Sequence, residues 1–154
     1  KTLYSACDDG ALRSWDSSRG IPSHSLNHFP HWVNALAVPN SGATVWASFH
    51  NHLVASDANS LVQWAKLTSV PGWITDLVAF PDGRHVLVCG LAGTALVVDS
   101  QGMEPERKLA VPAEDVMRGA VSRDGRSAWV ATRGGSLLPS LRGAKRGGPA
   151  IGSR

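Results

Sequence analysis

What most limits the fold of this chain is its likeness to itself at a fixed interval. Gly42, Gly83 and Gly125 close Pro39-Asn40-Ser41-Gly42, Pro81-Asp82-Gly83 and Arg123-Asp124-Gly125 at spacings of 41 and 42. Val33, Ile74 and Val116 open an apolar run at the same two spacings, and Asp16, Asp57 and Asp99 end another. Leu26, Leu67 and Leu109 repeat at 41 and 42, and Ala6, Ala47 and Val88 at 41 and 41. Self-similarity at a period of about 20–50 residues marks an architecture of stacked like units, none of which buries its apolar surface alone.

The stretch Trp73–Asp99 shows what one unit contains. Ile74–Phe80, His85–Cys89 and Thr94–Val98 are short apolar runs separated by Pro81-Asp82-Gly83 and Gly90-Leu91-Ala92-Gly93. Short branched runs bounded by Gly, Pro and Asp read as strands. The inner runs are apolar at every position, as in Val86-Leu87-Val88, which predicts burial on both faces. A fourth run, Pro105–Leu109 here and Gln63–Leu67 one unit earlier, is polar and suits an outer edge facing water. Counted through residues 1–141, the strands fall three, four, four and three, with Pro139 expected to end the last. The chain is expected to be all-β, with units of four antiparallel strands and a period of about 41 residues.

Tyr4–Asp16 ends in the pair Trp15-Asp16, and with the starts Trp32–Val38 and Trp73–Gly83 it resembles the WD40-repeat family. The resemblance covers about residues 2–138. It implies a β-propeller, here a partial ring of about three and a half blades. It also implies structural roles for Asp9, Trp15 and Asp16, with Cys7 where a hydroxyl is usual. The next unit places His50 and Ser56 at the positions of Asp9 and Trp15, and the third places Ala92 and Val98 there, so those blades would rest on apolar packing. Seven such units, the common number, need roughly 290 residues at this period. The chain is therefore expected to be a fragment, its ring completed by further residues, a second copy or a partner.

Charge divides the chain at residue 141. Arg142, Lys145, Arg146 and Arg154 lie in a Gly-rich segment without acids, residues 142–154, which reads as a flexible basic tail. The remaining 11 basic residues face 12 acids, so the body is near neutral and offers no broad basic face to nucleic acid. An Arg-Gly-Gly step in the tail is the one hint of RNA, the basis of an alternative reading as an RNA-associated subunit of a ribonucleoprotein particle. Two cysteines are too few for a disulfide framework and fit a reducing, intracellular compartment, cytoplasmic or nuclear. No run of apolar residues is long enough for a membrane-spanning helix, and no membrane partner is expected.

No phosphate loop, zinc-protease helix or nucleophile elbow occurs. Gly90-Leu91-Ala92-Gly93 joins strands and lacks a following lysine, and Asp8-Asp9-Gly10 reads as a hairpin turn rather than a catalytic acid pair. A propeller enzyme is the disfavoured alternative, since no acid, base, nucleophile and metal set converges, and no enzyme activity, cofactor or metal is expected. His28, His31, His50 and His52 all fall in loops at one end of the units, which leaves a metal or pH-dependent contact open beside the simpler reading of solvated loop residues. Phe29, Trp32 and Trp73 share that end, where Trp32 and Trp73 either fill a seam between units or anchor a partner. Trp15, Trp46 and Trp129 lie in inner strands and read as core; Trp64 lies on an outer one. The expectation is a non-catalytic protein-interaction scaffold that meets a protein or peptide through Phe29, His31, Trp32, His50, His52 and Trp73.

Overall fold

The computed structural model describes residues 1–27, 29–40, 42–67 and 70–141, and only the backbone of 64–67, 140 and 141. The basic tail, His28 and the side chain of Trp64 thus lie outside what is described. Among the described residues every regular element is a strand, and no helix is long and apolar enough to cross a membrane. The chain is all-β, built from small antiparallel sheets, as its apolar runs and turn residues predict.

Among the described residues, fourteen strands form four sheets in chain order. The first holds β1 (Thr2–Ala6), β2 (Leu12–Asp16) and β3 (Ile21–Leu26). The second holds β4 (Val33–Ala37), β5 (Thr44–Phe49), β6 (His52–Asp57) and β7 (Gln63–Leu67). The third holds β8 (Ile74–Ala79), β9 (His85–Gly90), β10 (Thr94–Asp99) and β11 (Pro105–Lys108), and the fourth β12 (Val116–Val121), β13 (Ser127–Thr132) and β14 (Leu137–Leu141). Within each sheet, sequence neighbours are spatial neighbours, which short turns enforce.

The turns repeat as chemistry as well as shape. Asp16, Asp57 and Asp99 each turn a carboxylate back onto the loop that follows. Asp16 accepts from the Ser18 amide at 2.9 Å, Asp57 from the Ser60 amide at 2.9 Å, and Asp99 from the Gln101 amide at 3.0 Å. Each loop then closes through a left-handed residue: Gly20, Leu61 and Met103 at φ 67°, 56° and 48° donate their amides to the carbonyls of those aspartates. An Asx turn of this kind satisfies amides the ladder leaves over.

Strand register decides which side chains meet. Thr2 pairs with Asp16, Thr44 with Asp57 and His85 with Asp99, so Tyr4, Trp46, Leu87 and Trp129 hold one register position on successive sheets. Tyr4 packs toward the second sheet, Trp46 toward the third and Leu87 toward the fourth. From the other side Val45, Val86 and Ala128 meet them, so each junction sets one kind of face against the other. Gly119 permits the last approach: a Cβ there would lie 2.8 Å from both Cys89 Sγ and Leu87 Cδ2. Close packing of this quality is where the apolar burial that stabilises the chain is concentrated.

Three details differ from the sequence reading. The Ala6 to Ala47 spacing is one residue out of register, because Phe49 pairs with His52 across a two-residue turn while the first and third sheets use longer ones; Ser48 is the true counterpart of Ala6. A one-residue slip moves a side chain to the opposite face. Pro139 does not end β14 but sits within it, opposite Trp129. The Thr132 amide bonds the Ser136 carbonyl, so alternate residues face β13 and the proline nitrogen points to the free edge, where no donor is needed. Trp129 is not core: it is 41% exposed, whereas Trp46 is fully buried.

Candidate interaction site

The site is built where the first-strand starts of the second and third sheets meet the turn between β5 and β6. The Val33 amide donates to Cys7 O at 3.2 Å and the Ile74 amide to His50 O at 2.8 Å, and these bonds fix Trp32 and Trp73 immediately before their strands. His50 occupies the two-residue turn at φ 58°, a left-handed conformation that costs a non-glycine residue about 1–2 kcal/mol. Its ring gains contacts on both sides: it stacks on His31 with centroids 5.0 Å apart, and meets Trp73 at 4.5 Å and 45°.

These rings surround a cavity of about 230 Å³ lined by His31, Trp32, Asn34, His50 and Trp73. Trp32 is 64% exposed and Trp73 47% exposed, large apolar surfaces left to solvent at its rim. A broader recess of about 490 Å³ adjoins it, sharing Trp32, Asn34 and Trp73 and reaching Asp8, Arg118 and Arg133. Asn34 is positioned by a strand bulge, since the β4–β5 register shifts between Val33 and Ala35. The β8–β9 register shifts likewise between Ile74 and Asp76, and the β12–β13 register between Val116 and Arg118. Bulges re-aim a side chain out of the pleat. Asn34 uses its freedom to donate from Nδ2 to Ile74 O at 2.8 Å, which links the second sheet to the third beneath the cavity.

No family model matches this sequence, and no curated protein is significantly similar to it.

The predicted residues divide into two groups. His31, Trp32, His50 and Trp73 converge on the cavity. Phe29 and His52 instead flank Phe49, with ring centroids at 5.0 Å and 4.9 Å, and Phe29 packs into the core between the first two sheets. Among the described residues no group of three or more His, Cys, Asp or Glu is placed to hold a metal ion, and His31 and His50 meet through their ring faces. Asn34 is the lining residue that sequence reasoning missed. Its signal was a polar side chain at the second position of an apolar run, matched by Thr75 one unit later at a spacing of 41.

The residues that the WD40 resemblance singled out have local roles. Asp9 accepts from the Ala11 amide at 3.0 Å and from Arg13 at 2.7 Å, and the Arg13 bond holds its carboxyl below the usual range. Trp15 donates to Ser5 Oγ at 2.9 Å, so the hydroxyl comes from Ser5, while the Cys7 thiol donates to Asp8 at 3.2 Å. In Asp16, the Ser18 hydroxyl is the main cause of a lowered carboxyl pKa.

Proposed function

We propose that this chain is a non-catalytic interaction module, an arc of a WD40-like β-propeller that takes a peptide or protein side chain between Trp32 and Trp73. The propeller reading is supported by four consecutive antiparallel sheets stacked in chain order, with β-bulges and Asx turns recurring at spacings of 41 and 42. The observation that carries the binding reading is the pair of exposed indoles at the rim of the cavity. Tryptophan in a partly enclosed, desolvated setting is the residue type that most often dominates interface energies.

The size and chemistry of the cavity favour a partner side chain over a substrate. At about 230 Å³ it lies below the roughly 300–1,000 Å³ usual for small-molecule sites. Its lining offers imidazoles, an amide and indoles, a mostly apolar and aromatic set that suits a partner side chain. The test is capture of binding partners by the immobilised chain, compared with a Trp32→Ala/Trp73→Ala variant. Loss of a specific protein at unchanged melting temperature supports the reading. Retention of every partner, or melting lowered in proportion, refutes it and makes the indoles packing residues.

A further inference from the structure

Charge is distributed unevenly beside the two indoles. The recess that adjoins the aromatic cavity shares Trp32, Asn34 and Trp73 with it and adds Asp8, Arg118 and Arg133. Arg118 belongs to β12, where the bulge between Val116 and Arg118 re-aims the strand's side chains. Its Nη1 donates to Met117 O at 2.9 Å and to Thr75 O at 3.3 Å, so this exposed residue reaches from the fourth sheet onto the third. Both acceptors are backbone carbonyls, which hold a guanidinium in place without cancelling its charge. Arg133 differs, because Asp115 pairs with it at 3.4 Å. The two bonds on Arg118 use Nη1, which leaves Nε and Nη2 as a fork for a carboxylate. The same two donors are the ones with which Arg84 grips Asp99 elsewhere in this molecule.

Resting on the reading of the cavity as a side-chain site, we infer that the partner is an acidic peptide segment: an apolar anchor residue between Trp32 and Trp73, with a carboxylate one or two residues away on Arg118. The two spaces adjoin, and an extended chain advances about 3.5 Å per residue, so neighbouring positions of one segment reach both. Asn34 lines both spaces, and with its Nδ2 committed to Ile74 O its Oδ1 remains to accept a peptide N–H. Exposed indoles also stack nucleic-acid bases, and the charge balance separates the two partners. Asp8 in the same recess and Asp115 on Arg133 repel a run of phosphates, and residues 1–141 hold 11 basic residues against 12 acids. One carboxylate placed on Arg118 meets a single uncancelled charge, whereas a polyanion needs a basic track that this face lacks.

Selection of phage-displayed random linear peptides on the immobilised 154-residue chain tests this, run in parallel on Trp32→Ala/Trp73→Ala, Arg118→Gln and Arg118→Glu. The wild type is expected to enrich peptides with an apolar residue and Asp or Glu next to it or one further on. A synthetic copy of the enriched peptide should bind Arg118→Gln at least about tenfold more weakly, as for loss of a hydrogen bond to a charged group. Added salt should narrow that gap. Arg118→Glu should instead enrich Lys or Arg beside the same kind of anchor. Peptides that need both indoles yet show no preference for an acid overturn the acidic partner and leave the cavity reading standing. Acidic peptides indifferent to the loss of both indoles overturn the cavity reading and this inference with it. An empty selection overturns the inference, while the cavity reading still stands or falls by partner capture. Single-stranded oligouridine that binds the wild type more tightly than the peptide, and is lost in Arg118→Gln, assigns the recess to nucleic acid and also overturns it. Arg118 is exposed, and glutamine keeps an amide donor for the Met117 and Thr75 carbonyls, so the melting temperature should hold. Should it fall, Arg118→Lys keeps the charge without the fork and reads the same contact.

Discussion

Thr75 donates its hydroxyl to the carbonyl of Val116, 41 residues away, at 2.6 Å, and Asn34 makes the equivalent bond to Ile74 one sheet earlier. Each strap leaves a bulge in the first strand of one sheet and lands at the first residue of the next. Their shared direction gives the stack a polar seam beside its apolar faces. Met117, at the matching position of the fourth sheet, has no hydrogen to donate.

Removing a strap strands a carbonyl. Val116 is fully buried, and its carbonyl accepts from Thr75. Thr75→Val keeps the shape and loses the donor, so it is expected to lower stability by about 1–2 kcal/mol. Asn34→Ala does the same at the second junction. Urea midpoints at constant slope measure both, and no change in either would leave the seam without energetic weight.

The tight turn at Ala92 offers a gain. Ala92 is exposed at φ 57°, a left-handed conformation in which a Cβ crowds its own backbone. Ala92→Gly relieves a strain of about 1 kcal/mol, part of which returns as unfolded-chain entropy. The expected result is melting raised by a few degrees. His50, at φ 58° with its ring between His31 and Trp73, should gain nothing from the same change because it gives up those contacts.

The two thiols should separate cleanly. Burial raises the Cys89 pKa to about 12, with the Asp76 charge adding to the effect and Arg118 opposing it. Cys7 is only half-buried, in the turn after β1. A thiol reagent at pH 8 is expected to label Cys7 alone in the native chain and both in denaturant. Prompt labelling of Cys89 would show that the third and fourth sheets open readily.

Acid should weaken the fold through Asp99. The Arg84 guanidinium, bonded through Nε at 2.8 Å, holds the Asp99 carboxyl far below its ordinary range, helped by the Gln101 amide. A depressed folded-state pKa gives stability that is complete above the unfolded value of about 4 and is lost as pH falls below it. Urea midpoints at pH 5 and pH 3 should therefore drop for the wild type and drop less for Asp99→Asn. An equal drop in both would assign acid sensitivity to other groups.

The aromatic site was legible in part. His31, Trp32, His50 and Trp73 could be grouped because loops at equal phase in neighbouring units emerge at one end. Phe29 and His52 shared that phase, yet Phe49 drew both rings toward the core, a competition that one-dimensional spacing does not contain. Asn34 was hidden because a bulge depends on how two strands pair and not on either strand alone.

By itself the sequence determined that this chain is all-β, that its apolar runs and turn residues recur about every 41 positions, and where most of its turns fall. Those follow from local physics: branched apolar runs extend, and Gly, Pro and Asp turn the chain. Only the tertiary structure decided the register. The two-residue turn at His50 shifts β5 by one position, and that shift sets which face Trp46 presents to its neighbour. It also showed that Trp129, at the position of Trp46, stays 41% exposed, since burial belongs to the pair of sheets that meet and not to the residue.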